Sequence, residues 1–171
     1  PAQAAPVTST ATITPAAAVA APTTVTTRTV TATALTPAQV AAQRAAVARK
    51  VAAARVAHKR VVAVKVARSK VGARYRAGMS GPTRFDCSGL VMWAFQQAGI
   101  FLPHSSQALA SGGQPVSMEN IQPGDVVNYY SDASHSAIYI GDGMMVHAST
   151  FGVPVRVAPV NNAPIYNIRR Y

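Results

Sequence analysis

The spacing of hydrophobic and polar positions changes from helical to alternating partway along the chain. Leu90, Val91, Ala94, Phe95 and Ala98 recur at i, i+1, i+4, i+5 and i+8, one face of a helix, and Gly99 stands where such a helix ends. Upstream, Thr36, Pro37 and Gln39 have the spacing of an N-cap, a first helical residue and a capping-box partner. Ala-rich sequence without Gly or Pro then runs on to Lys70, so one long helix or two joined helices are predicted over 37–71. Val62, Val66 and Val71 are its expected core-facing stripe. Gly72, Gly78, Gly81 and Pro82 mark a loop, and His104-Ser105-Ser106-Gln107 opens a further short helix. Gln122-Pro123-Gly124-Asp125 reads as a turn before the apolar run Val126 to Tyr130. Strands are predicted near 136–140, 144–148, 153–158 and 165–169. Helices first and antiparallel strands second give an α+β fold.

The hairpin over residues 136–148 decides whether two histidines can cooperate. With Asp142-Gly143 alone as the loop, Ile138 would face His147, and His135 and His147 would fall on opposite faces. With Gly141-Asp142-Gly143 as the loop, Ile140 pairs with Met144 and Ala137 with His147, and the two histidines become diagonal neighbours on one face. The three-residue loop is the expected register, with Gly143 at positive φ. Ile138, Ile140, Val146 and Ala148 then supply core from the other face, and His135 points at a helix packed across the sheet.

Charge divides the chain at Asp86. Thirteen basic residues and no acidic one precede it; from Asp86 onward there are five acidic residues and three basic. The expected organisation is an Ala/Pro/Thr-rich flexible extension over 1–35, a basic Ala-rich helical arm over 36–60 and a folded domain over 61–171. The plainer reading of the arm is a solvated helix; the functional one is a tether to an anionic wall polymer, or a cover over a nearby groove. The arm has no interleaved aromatics and no nucleic-acid-binding module, so no nucleic acid partner is expected. Nor is a transmembrane segment expected, and the first residues resemble a chain start left by removal of a secretory signal.

Cys87 is the sole cysteine, so an intrachain disulfide and a CxxC motif are both excluded. Its predicted place in the first turn of the 90–98 helix sets backbone N–H groups and the positive end of the helix dipole beside the sulfur, which favours a thiolate nucleophile. His104, His135 and His147 are its candidate partners, with His135 as base and His147 holding the imidazole of His135. A buried structural thiol and a zinc site of Cys87, His135 and His147 are the competing readings. The nucleophile is preferred, and no metal or other cofactor is expected.

Three blocks carry a family resemblance: Phe85-Asp86-Cys87-Ser88-Gly89-Leu90-Val91, Gln122-Pro123-Gly124-Asp125, and His135 to Gly143 followed by Met145-Val146-His147-Ala148. In this order and spacing they resemble the NlpC-type cysteine peptidases that cut peptidoglycan stem peptides, over about Val61 to Tyr171. The resemblance implies a papain-like α+β fold, with N-terminal helices packed on a central antiparallel sheet, and a Cys87–His135–His147 triad. It implies a secreted, wall-located and monomeric endopeptidase cleaving the D-γ-glutamyl bond to meso-diaminopimelate, or to lysine in some walls. By the same analogy Tyr75 lines the groove near the oxyanion position, Asp86 and Ser88 hold the substrate stem, and Arg84 or Arg76 meets a stem carboxylate. The chain departs from the family at Ala77 and Met79, where an aromatic residue and a glycine are usual, at Ser136-Ala137, and at His104, where many relatives carry Arg. A wall-binding module with an occluded site, and an amidase or acyltransferase using the same nucleophile, are the alternatives.

Overall fold

A computed structural model describes residues 35–171, so the extension expected at 1–35 lies, apart from Leu35, outside the described residues. Helix α1 spans Pro37–Ser69 without interruption. Proline at its first position loses nothing, because that N–H has no helical acceptor. Its basic side chains and Val47, Val51 and Val56 are exposed along the outer turns. The core-facing stripe differs from the expected valines: Ala63 and Ala67 are fully buried, Val62 and Val66 only partly, and Val71 is 48% exposed. The reason is the partner. α1 packs along α2 (Cys87–Gln97), and alanines four residues apart let the two backbones approach closely. Lys59 Nζ donates to the Gly99 carbonyl just past the end of α2 at 3.0 Å, a cation where the helix dipole favours one.

After α1 come two short parallel strands, β1 (Arg74–Tyr75) and β2 (Arg84–Phe85), then α2 and a short helix α3 (Ser106–Ser111). Ser105 caps α3 by accepting from the Ala108 N–H. Six strands follow: β3 (Gln114–Val116), β4 (Val126–Tyr129), β5 (His135–Gly141), β6 (Met144–His147), β7 (Arg156–Pro159) and β8 (Ile165–Arg170). They form one antiparallel sheet in the order β3-β8-β4-β5-β6-β7. The α+β architecture expected from the sequence is the one observed. Among the described residues no helix is long and apolar enough to cross a membrane.

Both faces of the sheet are covered. Ile138, Ile140, Val146 and Ala148 join Leu90, Val91, Ala94 and Phe95 of α2 and the buried alanines of α1 in one core. On the other face Val127, Tyr129, Ala137, Tyr139 and Met145 pack with Val160 and Ile168. The Gln122 to Asp125 turn is pinned by charge. Asp125, fully buried, accepts from Arg170 Nε and Nη2 and from the Gln122 N–H, each at 2.7 Å. Such a bidentate pair satisfies a carboxylate that burial would otherwise penalise heavily.

Candidate active site

The first turn of α2 is built around Asp86. As N-cap it accepts from the Gly89 N–H at 2.7 Å; its second oxygen accepts from the Gly78 N–H at 2.7 Å. His104 Nε2 lies 2.8 and 3.0 Å from the two oxygens, and Ser88 donates to Oδ1 at 3.3 Å. Gly89 is needed for a different reason. A Cβ there would fall against the Met79 carbonyl oxygen and within 2.9 Å of Asp86 Oδ1 and Ser80 Cα. Met79, a departure from the family at a place of close backbone approach, keeps that approach: its carbonyl also accepts from the Asp86 N–H at 2.7 Å, while the side chain is exposed.

These contacts fix the sulfur of Cys87 at the start of α2. Backbone N–H groups of Ser136, Ser88 and Cys87 itself point at it and favour the anion, and the Ser134 carbonyl lies 3.9 Å away. Burial nevertheless pushes the thiol up and outweighs them. The expected resting thiolate is therefore corrected: the helix start lowers the cost of an anion here without making it the resting form.

The β5–β6 hairpin reaches the expected histidine register by a different route. The loop is Asp142-Gly143, with both residues at positive φ (55 and 69), as a type I′ turn requires. Gly141 pairs with Met144, and a bulge at Ile140 shifts the pairing by one, so that Tyr139 faces Met145 and Ile138 faces Val146. A two-residue loop without the bulge would have separated the histidines; the bulge returns them to one face. His135 Nε2 lies 3.0 Å from His147 Nδ1, with the rings edge to face and 5.2 Å apart.

One expectation about direction needs revising. The helix-facing side of the ribbon is Ile138, Ile140 and Val146, not the histidine side. Cys87, His135 and His147 line one cleft of about 220 Å³ at the N-terminal end of β5, beside Ser134, together with Tyr75 and Tyr130. No residue of α1 lines this cleft, so that helix does not cover it.

Burial, and then the neighbouring His147, lower His135 to about 4; burial, and then the Arg156 guanidinium across the strand pair, lower His147 to about 4. Both rings are neutral at pH 7, and His135 is a base rather than a cation. His147 Nε2 is buried and has no hydrogen-bond partner among the described residues. Tyr75 is held protonated by burial, reinforced by Cys87 and Asp86, so its hydroxyl is a donor in the cleft. No three His, Cys, Asp or Glu side chains among the described residues are grouped as metal ligands.

Of the residues singled out from sequence, Cys87, His135, His147 and Tyr75 come together. Asp86 and Ser88 do not line the cleft: the aspartate oxygens are occupied by the helix start, Gly78 and His104, and Ser88 is buried beneath them. Arg84 and Arg76 line a second cavity, which Tyr75 shares. Tyr129 escaped the sequence reading. It pairs directly with His135 across β4–β5, its ring 5.7 Å from the imidazole, and its hydroxyl is anchored on the Val160 carbonyl at 2.8 Å. The signal was available in the short loop between Tyr129 and His135, which sets the two opposite each other.

A thiol at a helix start and two imidazoles on a β-ribbon thus line one cleft. The NlpC/P60 family model matches residues 72–168, and the chain belongs to that family. It is 67% identical over 109 residues to a Mycobacterium tuberculosis protein named probable endopeptidase, covering 63% of this chain and 28% of the relative. It is 45% identical over 92 residues to the gamma-DL-glutamyl hydrolase of Bacillus subtilis, covering 50% of this chain and 22% of that one. Among solved structures it superposes on a hypothetical invasion protein of Mycobacterium tuberculosis with TM-score 0.63 and 32% identity, covering 68% of this chain and 63% of the other. The chain thus spans less than a third of the length of these two curated relatives.

Proposed function

We propose that this chain carries the catalytic domain of a secreted peptidoglycan hydrolase, a cysteine endopeptidase that cleaves the D-γ-glutamyl bond to meso-diaminopimelate in wall stem peptides. The observation that carries the reading is the 3.0 Å contact between His135 Nε2 and His147 Nδ1 in the cleft that Cys87 lines. One ring nitrogen donates and the other accepts across this contact, and the proposed chemistry uses one of the two tautomer pairs it allows. A neutral His135 that donates its Nε2–H to His147 Nδ1 leaves its own Nδ1 lone pair free for the thiol proton. His147 then carries its proton on Nε2.

The reaction follows from these positions. Cys87 gives its proton to His135 Nδ1 as sulfur attacks the amide carbonyl, and the imidazolium keeps its hydrogen bond to neutral His147. Backbone N–H groups at the start of α2 and the protonated Tyr75 hydroxyl are the donors at hand for the oxyanion. His135 returns the proton to the leaving amine, and water, deprotonated by His135, resolves the thioester. The relatives' names, probable endopeptidase and gamma-DL-glutamyl hydrolase, support the substrate class. Over residues 36–60 the basic helix is proposed as a tether to anionic wall polymer, because Arg44, Arg49, Lys50 and Arg55 are exposed with no acidic residue in that stretch to neutralise them.

The test is mass analysis of muropeptides from purified wall digested by the full chain and by Cys87→Ala. Release of fragments ending in D-glutamate by the first and not the second is expected. Cleavage at the glycan–peptide amide would make the protein an amidase, and binding without cleavage by either would make it a wall-binding module.

A further inference from the structure

We propose that the arginine-lined cavity beside the cysteine cleft reads carboxylates: it binds a segment of the stem peptide bearing free carboxylates and discriminates against the same segment when those groups are amidated. The inference rests on the peptidase reading above.

The cavity, about 490 Å³, is walled by Arg74, Arg76 and Arg84 on one side and by Phe151 and Pro154, from the loop between β6 and β7, on the other; Tyr75 belongs to it and to the cysteine cleft. Arg74 and Arg84 are direct partners in the β1–β2 pair. Like charges opposite one another are unfavourable, and here nothing offsets them. The two ion pairs among the described residues lie elsewhere, and no acidic residue precedes Asp86. Asp86 is itself occupied by Gly78, Gly89 and His104. Three unneutralised guanidinium groups on one concave surface fit an anionic ligand, and their planar forks fit carboxylates bidentately, whereas a carboxamide offers one acceptor and no charge.

The two walls are fixed relative to each other. Gly72 N–H donates to the Val155 carbonyl and Val155 N–H to the Ala73 carbonyl, both at 2.8 Å, which ties the Phe151 loop to the segment leading into Arg74. Arg76 is held by its N–H on the Phe85 carbonyl at 3.0 Å. A peptide acylating Cys87 would pass Tyr75 and reach the arginines, with Phe151, which is 87% exposed, and Pro154 against its aliphatic parts. That continuity, and the apolar wall, favour a peptide over a phosphate-bearing wall polymer.

The test uses the full chain carrying Cys87→Ala, titrated calorimetrically with a stem tetrapeptide whose side carboxylates are free and with the same peptide amidated. Tighter binding of the free form by roughly three- to tenfold per carboxylate is expected. That ratio should collapse towards one when Arg76→Gln and Arg84→Gln are added. Equal binding of both peptides, or a ratio that survives the substitutions, overturns the proposal. So does a polyglycerol phosphate that binds through Arg76 and Arg84 more tightly than the free peptide. A second measurement needs no arginine variant: between 50 and 300 mM KCl the free peptide should lose affinity and the amidated one should not, and identical salt dependence also counts against the proposal. Cleavage of both peptides at equal rates by the unsubstituted chain would sink this inference and leave the peptidase reading intact. Carboxylate-dependent binding with no cleavage of either peptide would do the reverse.

Discussion

The two faces of the β5–β6 ribbon are one residue apart in sequence and do opposite work. Ile138, Ile140, Val146 and Ala148 are sealed against α1 and α2. His135, Ala137, Tyr139, Met145 and His147 share the opposite side, where the two imidazoles reach the cysteine cleft around the strand end. Because side chains alternate with period two, the pairing that buries the first set also juxtaposes the histidines. The hydrophobic effect is what holds the register, and the proposed chemistry depends on it. The Ile140 bulge reconciles that register with a two-residue turn.

Substitutions on the two faces should therefore separate rate from stability. The largest effect is expected for His135→Ala, with kcat reduced by roughly 10³–10⁴, near the full value of a positioned general base, and the thermal midpoint unchanged or raised once a buried polar ring is gone. Ile138→Ala should do the opposite: a loss of about 2–5 kcal/mol of stability measured by denaturant unfolding, with kcat per folded molecule within a few-fold. Should Ile138→Ala reduce kcat as far as His135→Ala, the two faces are not independent. Gly89→Ala sits between them, since the added methyl meets the Met79 carbonyl: about 1–3 kcal/mol of destabilisation and a displaced nucleophile are expected, read by unfolding and kcat together.

His147→Asn, which preserves an acceptor for His135 Nε2–H, should retain more activity than His147→Leu, which removes it. Equal rates for the two variants would show that His147 does not orient the base. The smallest effect is in pH. With both histidines lowered to about 4, the acid limb of kcat/KM should fall near there and not near 6.5. Their folded values lie below the unfolded one, so stability from these groups is present above about 6.5 and is lost as pH falls through about 4, where the unfolded chain binds more protons. A thermal midpoint that rises on acidification from 6.5 to 4.5 would contradict that sign.

Much of this was legible in the sequence. The cysteine helix and the two-histidine ribbon announce themselves by local periodicity and turn chemistry, whereas Asp86, expected at the substrate, serves as the N-cap of α2. The features that escaped depend on partners remote in the chain. Ala63 and Ala67 outrank the valines because α2 lies against them, which no single-helix pattern reveals. Arg170 reaches Asp125 across 45 residues, and β1 and β2 are two-residue strands too short to leave a pattern. The resting state of the thiol is hidden from the sequence because the helix start is visible locally, whereas the burial that outweighs it is a property of the closed cleft. The bulge was invisible for a related reason: Gly141-Asp142-Gly143 suits either loop, and only packing on both faces selects between them.

Cys87 is the sole cysteine of the chain, so its part in turnover can be measured by counting. Graded alkylation with iodoacetamide, followed by intact mass and by hydrolysis of stem peptide on the same samples, gives activity against the fraction modified. Activity is predicted to fall in direct proportion and to vanish at one adduct per chain. Undiminished hydrolysis by fully alkylated protein would show that the sulfur at the start of α2 is not the nucleophile.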